Sequence, residues 1–228
     1  MSITESHIQA PVERTLAPGE IKSLTIAGWT GRNAEAVEKH IRELEELGVP
    51  RPATTPIFYR VSASLATSSD NIEVLDTTSS GEVEPVVISL DGELWLGIGS
   101  DHTDRHAETF GVSLSKQMCP KPVGTALWRL RDLADRLDDL ELRSYATRDG
   151  KRQLYQDGHL RSIRPIAELL ELSGTGSAPP DGFAMFCGTI PVEGEIGFGS
   201  IFEMEIHDPA TGKSLRSSYS VHALPNRG

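Results

Sequence analysis

Cysteine is scarce: Cys119 and Cys187 are the only two in the 228-residue chain. Neither lies in a C-x-x-C or Cys/His spacing, which excludes a zinc finger or ribbon and a disulfide-built scaffold. Both read as reduced, packed thiols. Long apolar runs are missing too. Stretches such as Glu84 to Ser89 fall far short of the roughly 18 residues that a membrane span needs. The first residues, Met-Ser-Ile-Thr-Glu-Ser-His, have no basic n-region and no apolar h-region. No secretory signal is therefore expected, and the expected location is cytoplasmic. Basic residues are outnumbered, 22 Lys and Arg against 33 Asp and Glu, for a net charge of −11. Such a chain is a poor nucleic-acid binder, because that binding depends on neutralising phosphates. It suits small molecules or cations. The P-loop, H-E-x-x-H, G-x-S-x-G and EF-hand patterns are all absent, and Gly97-Ile98-Gly99 lacks the third glycine of a dinucleotide fingerprint.

What is present reads as one domain of residues 21–224 behind a polar lead-in, residues 1–20, that contains Pro11 and Pro18. Lys22 to Ala27 alternates as a strand. Asn33 to Leu47 reads as a helix, with Asn33 as cap, Gly48 and Pro50 at its end, and Val37, Ile41 and Leu44 on its apolar face. Strands are expected at Ile57–Leu65 and Ile72–Leu75. A hairpin, Val83–Ile88 and Glu93–Ile98, turns at Asp91-Gly92. A helix is expected over 103–116, a strand over Leu140–Tyr145, a second hairpin turn at Asp149-Gly150, and a short helix over Ile163–Leu172. Ser173 to Pro180 is a loop, and Phe183 to Val221 is β-rich, with turns at Glu193-Gly194 and Thr211-Gly212. Strands and helices do not alternate, so the expected class is α+β: a mainly antiparallel, mixed β-roll or barrel-like sandwich with short flanking helices.

Chemistry concentrates in carboxylates. Glu82 and Glu84 are at i and i+2 of a strand and share a face. Two such carboxylates repel unless a cation lies between them or one is protonated. If the hairpin forms, Asp101 reaches the same end of the sheet. The three then make either a solvated strand face or a hard-oxygen site of the Mg²⁺ or Mn²⁺ kind. On the helix, His40 and Glu43 are one turn apart, the spacing of an oriented general base. Lys116, between a helix and a Pro-rich turn, is a surface lysine or a cation for a developing oxyanion. Gly188-Thr189 is a structural turn or a carboxylate-binding loop.

The order of these segments resembles the fumarylacetoacetate hydrolase superfamily, and most closely its short, single-domain bacterial members of unknown function. Gly31-Arg32-Asn33 with His40-Ile41-Arg42-Glu43 is similar to G-R-N-Y…H-x-x-E. Pro56 to Arg60 is similar to P-x-x-F-x-K, and Glu82-Val83-Glu84 to the metal-binding E-x-E. Gly99 to Arg105 resembles G-N-D-x-[ST]-A-R-D, Lys116 to Pro120 the K-S-F-x-x-x-x-P segment, Asp149 to Gly158 an N-G-x-x-x-Q-x-G hairpin, and Gly188 to Pro191 a G-T-P loop. Three extra residues precede His40, His106 stands in place of Asp, Arg60 in place of Lys, and Ile190 interrupts G-T-P.

The resemblance implies a fumarylacetoacetate-hydrolase-like catalytic domain and a homodimer. It implies Mg²⁺ or Mn²⁺ on Glu82, Glu84 and Asp101, and a small anionic substrate held by Arg105, Glu108, Thr189 and Tyr59. His40, oriented by Glu43, would activate water, and Lys116 would support the enolate left by C–C cleavage in a 2-oxo or 1,3-dicarbonyl acid. Decarboxylation, hydration, amide or lactone hydrolysis, or metal and ligand binding without turnover stay open as alternatives.

Overall fold

A computed structural model describes residues 8–46 and 51–227; the side chains of His40 and Leu44 lie outside the described set. In chain order the strands are β1 (Glu13–Thr15), β2 (Ser23–Gly28), β3 (Ile57–Val61), β4 (Ala66–Thr67), β5 (Asn71–Leu75), β6 (Ser79–Ser80), β7 (Val83–Leu90), β8 (Glu93–Ser100), β9 (Thr103–Asp104), β10 (Lys121–Pro122), β11 (Ala126–Arg129), β12 (Glu141–Arg148), β13 (Lys151–His159), β14 (Phe183–Phe186), β15 (Ile201–Asp208) and β16 (Lys213–Leu224). The helices are α1 (Ala34–Glu46), α2 (Arg105–Glu108), α3 (Val112–Met118) and α4 (Ile166–Leu172).

Two mixed sheets dominate. The first has the order β1-β11-β8-β7-β14-β2-β3, and the second β13-β12-β15-β16-β5. Most pairs are antiparallel; β14–β2 and β16–β5 are parallel. Neither sheet closes on itself among the described residues, so the architecture is an open α+β assembly of sheets and not a barrel. No helix among the described residues is long and apolar enough to cross a membrane.

Every residue of β7 is buried, which explains its near-continuous apolar sequence. Val83 and Val87 face the larger core shared with Phe202, Met204 and Ile206 of the second sheet. Val86 and Ile88 face a second cluster with Leu24, Ile26, Leu127 and Phe186. β15 instead alternates buried and half-exposed residues, as a sheet with one wet face does. Each fully buried aliphatic side chain contributes about 1.5–3 kcal/mol.

Several local expectations hold for stated reasons. Asp91 and Gly92 both have positive φ, 53° and 72°, the requirement of a two-residue hairpin turn. Asp149 and Gly150 repeat it at 50° and 73°. Asn33 Oδ1 accepts hydrogen bonds from the N–H groups of Glu35 (3.0 Å) and Ala36 (3.1 Å), capping α1. Leu47, Gly48 and Pro50, read as the end of that helix, lie outside the described residues.

Other expectations need correction. The 103–116 segment is not one helix: it is β9, then α2, then α3 after a break at Gly111. Asp104 starts α2 by accepting the Ala107 N–H at 2.8 Å, and Gly111 resets the chain before α3. The strand expected to run to Leu65 stops at Val61 and turns. Pro165 delays α4 to Ile166. Between β14 and β15, residues 187–200 are largely irregular, not strand. Within the stretch read as a lead-in, Glu13–Thr15 pairs with β11.

Candidate metal centre

The β7–β8 hairpin assembles the carboxylates. Val83 pairs with Ser100, Glu84 with Gly99, and the Asp101 N–H donates to Glu82 O at 3.0 Å. Glu82 and Glu84 leave one face at the start of the hairpin, and Asp101 arrives at its end. One ligand atom from each of the three lies within 4.8 Å of the others. Asp101 is fully buried and Glu84 is 2% exposed. The solvated-face alternative is thereby excluded.

Positive groups surround the trio. Lys116 Nζ donates to Asp101 Oδ2, and Lys121 Nζ lies 3.0 Å from Asp101 Oδ1 while donating to His102 O. Arg105 reaches Glu82 and Glu108, each at 3.2 Å, and its Nε donates to Ser80 Oγ at 2.7 Å. Burial alone would raise Asp101, but the two lysines hold its pKa well below the usual range. Lys116 is buried, yet Asp101 and Glu82 keep it firmly protonated. Glu84 moves the other way. Burial, then Asp101, pushes its carboxyl well above the ordinary carboxylate range, although the Gly188 N–H donates to Oε2 at 2.7 Å.

These features fit a divalent hard cation. The donors are all carboxylate oxygens, with no sulfur or imidazole among them. Glu84 is buried beside Asp101 and needs an adjacent positive charge to ionise, while both oxygens of Asp101 already face lysine ammonium groups. Neighbouring His102 is not a ligand. Its Nδ1 meets Tyr219 OH (3.0 Å) and its Nε2 meets Ser79 Oγ (2.9 Å). Burial, with Lys121 and Arg105 nearby, lowers its pKa to about 3.

A pH dependence follows. Glu84 must lose a proton to ligate, so Mg²⁺ uptake should release one and tighten as pH rises. Calorimetry in buffers of different ionisation enthalpy reads this directly. A carboxyl whose folded pKa is raised stabilises the metal-free fold at low pH and loses that contribution as pH climbs through the raised value. Above the ordinary carboxylate range the metal-free protein should melt lower with rising pH, and Mg²⁺ should offset the loss.

The remaining sequence candidates divide. Tyr59 lies beside Lys116, its ring centroid 5.8 Å from Nζ. Glu108 holds Arg105. Thr189 Oγ1 is committed to protein partners, donating to Val83 O and accepting from Gln156 Nε2, each at 2.7 Å. Glu43 is exposed on α1 and ion-paired with Lys39 at 3.6 Å. The His40 side chain lies outside the described residues, so the dyad is carried forward as a proposal. The two cysteines are buried free thiols, and burial raises Cys119 to about 11.

Residues 27–219 match the family described as "Protein of unknown function (DUF2848)". The chain belongs to the DUF2848 family. A comparison with curated proteins finds no match. Solved structures share the fold. A yeast protein, ynq8, described as a fumarylacetoacetate hydrolase family protein, superposes with a TM-score of 0.60 at 14% identity, over 91% of this chain and 96% of that one. A 2-keto-3-deoxy-D-arabinonate dehydratase complexed with magnesium and 2,5-dioxopentanoate gives 0.61 at 18% identity, over 90% and 75%. The 4-oxalocrotonate decarboxylase from Pseudomonas putida G7, complexed with calcium and acetate, gives 0.57 at 14% identity, over 87% and 76%. This DUF2848 chain therefore shares the fold of these three proteins, one of them described as a fumarylacetoacetate hydrolase family protein.

Sequence reasoning missed Lys121 and Gln156 in this DUF2848 chain. Lys121 carried no local signal, because its counter-ion lies twenty residues earlier in the chain. Gln156 appeared only as part of a hairpin motif, yet it is fully buried with both ends of its amide bonded.

Proposed function

We propose that the protein is a divalent-metal-dependent enzyme that hydrolyses a C–C bond in a small 2-oxo or 1,3-dicarbonyl acid, as a cytoplasmic homodimer. The observation that carries this is the cluster of part-buried Glu82 with buried Glu84 and Asp101, with the protonated Lys116 against it. Those three carboxylates would hold Mg²⁺ or Mn²⁺. A cation there polarises the oxygens of a 2-oxo acid and stabilises the negative charge that develops on them.

The chain's own residues supply the rest. Arg105, held in place by Glu108 and Ser80, offers its guanidinium to a substrate carboxylate. Tyr59 forms a wall beside Lys116. His40, with Glu43 one helical turn away, takes a proton from water, and the hydroxide adds to the carbonyl distal to the 2-oxo group. The C–C bond then breaks, its electron pair passes into the oxo-acid fragment as an enolate, and Lys116 Nζ donates a hydrogen bond to the enolate oxygen.

Decarboxylation or dehydration of a related oxo-acid is the second reading. Lys116 against Asp101 supports it, because an ammonium there can stabilise the enolate on which either reaction depends. Two proteins of the same fold, described as a dehydratase and a decarboxylase, point the same way.

His40→Ala separates the readings. A panel of acylpyruvates and other oxo-acids is incubated with Mg²⁺ or Mn²⁺ and products are followed by NMR. Hydrolysis should fall by about 10²–10⁴ in the variant, the usual worth of a general base. Full activity in the variant would favour the lyase reading, and no turnover by the wild type across the panel would favour a binding module.

A further inference from the structure

Val83 lies between two candidate ligands, and its backbone is held in an unusual way. The Asp101 N–H to Glu82 O bond makes Val83–Ser100 a non-hydrogen-bonded pair of the antiparallel ladder. The N–H and C=O of Val83 therefore point away from β8. On that side a strand should accept them, but β14 has ended: its pairing with β7 stops at Val86, and the Cys187 N–H makes the last bond, to Pro85 O.

Two side chains take the place of the missing strand. The Val83 N–H donates to Gln156 Oε1 at 2.9 Å. Thr189 Oγ1 donates to Val83 O at 2.7 Å. Gln156 Nε2 closes the ring by donating to Thr189 Oγ1, also at 2.7 Å. The amide is anchored twice more, by Ser144 Oγ on its oxygen (2.9 Å) and by Ile190 O on its nitrogen (2.7 Å). Its orientation is thus forced, since Val83 demands an acceptor and Ile190 a donor. Next to Thr189, the Gly188 N–H grips Glu84 Oε2. Gly188 cannot be replaced here: its φ is +100°, and a Cβ would lie 1.7 Å from Thr30 Oγ1.

We propose that Gln156 and Thr189 are positioning residues of the metal centre, a brace that fixes the Glu82–Glu84 spacing and favours a small cation, Mg²⁺, over Ca²⁺. The proposal rests on the metal-centre reading above and reassigns Thr189 from substrate anchor to ligand support. The reason for selectivity is stiffness. Mg²⁺ requires near-ideal octahedral geometry at about 2.0–2.1 Å, whereas Ca²⁺ accepts about 2.3–2.6 Å and irregular shells. A carboxylate pair on a slack backbone can still adapt to Ca²⁺, but it gives up the geometry that Mg²⁺ needs.

The test titrates Mg²⁺ and Ca²⁺ separately, with no substrate, into metal-stripped wild type, Thr189→Val and Thr189→Ser. Valine keeps the shape and removes the hydroxyl; serine keeps the hydroxyl. Melting curves without metal are recorded alongside, and oxalate is added to the Mg²⁺-loaded proteins. The expected result is a loss of Mg²⁺ affinity in Thr189→Val of about 10- to 100-fold, the usual cost of removing a partner that orients a metal ligand. Ca²⁺ should change several-fold less, and Thr189→Ser should lie near wild type. Equal losses of both cations in step with a lower melting temperature would overturn the proposal, since a merely structural role predicts that. Unchanged metal binding with weakened oxalate binding would also overturn it, by returning Thr189 to the substrate. A wild type that binds neither cation would reject the metal-centre reading itself, and the brace with it.

Discussion

Lys121→Met should lower the stability of the protein by about 2–3 kcal/mol, the cost of leaving the buried His102 carbonyl and Asp101 Oδ1 without their donor. For a chain of this size that is a fall in melting temperature on the order of 10 °C. The Lys121 ammonium is fully buried, 3.0 Å from Asp101 Oδ1 and bonded to His102 O. Burial pulls its pKa down while Asp101 pulls it up, the signature of a charge kept inside by one counter-ion. Methionine fills the space but leaves Asp101 with only Lys116. The double variant Lys121→Met/Asp101→Asn should lose less than the sum of the single variants, because the pair is removed together. Urea unfolding of the three variants measures this. A Lys121→Met loss below about 1 kcal/mol, the range of an exposed ion pair, would show that Asp101 does not depend on it.

Glu84→Gln should produce opposite signs in stability and metal binding. Glutamine keeps an oxygen for the Gly188 N–H and removes the repulsion from Asp101. The metal-free variant should therefore be at least as stable as the wild type at neutral pH, where the wild type must hold a raised carboxyl against Asp101. Metal affinity should fall by more than about 100-fold, beyond the cost of losing an outer hydrogen bond. In melting experiments the wild type should gain about 2.7 kcal/mol at Mg²⁺ one hundred times its Kd, and the variant close to nothing. A variant that is strongly destabilised without metal, or that still melts higher with Mg²⁺, would contradict this account of the site.

The parts of this molecule that the sequence discloses are those governed by neighbours along the chain. The Asp91-Gly92 turn shows itself because two positive φ angles in a row suit few residue pairs. Asn33 shows itself because its cap contacts lie two and three residues away. Glu82 and Glu84 show a shared face through strand periodicity, and the hairpin turn then delivers Asp101. What stays hidden depends on distant partners. Lys121 looks like any lysine until Asp101, twenty residues earlier, is placed against it. Thr189 acts on Val83, 106 residues away, and nothing local distinguishes that role from a substrate contact. The 103–116 helix fails for a different reason: Asp104 caps a short turn, and Gly111 separates it from α3. The apolar spacing on both sides of that break is still helical, so periodicity alone runs the two pieces together.

The most direct measurement is calorimetric titration of Mg²⁺ and Mn²⁺ into metal-stripped protein, wild type against Glu84→Gln, repeated with oxalate as a mimic of an enolised 2-oxo acid. The wild type is expected to bind one ion, more tightly with oxalate present, and the variant to show neither effect. Binding indifferent to Glu84→Gln, or no binding by the folded wild type, would contradict the assignment of Glu82, Glu84 and Asp101 as the reaction centre.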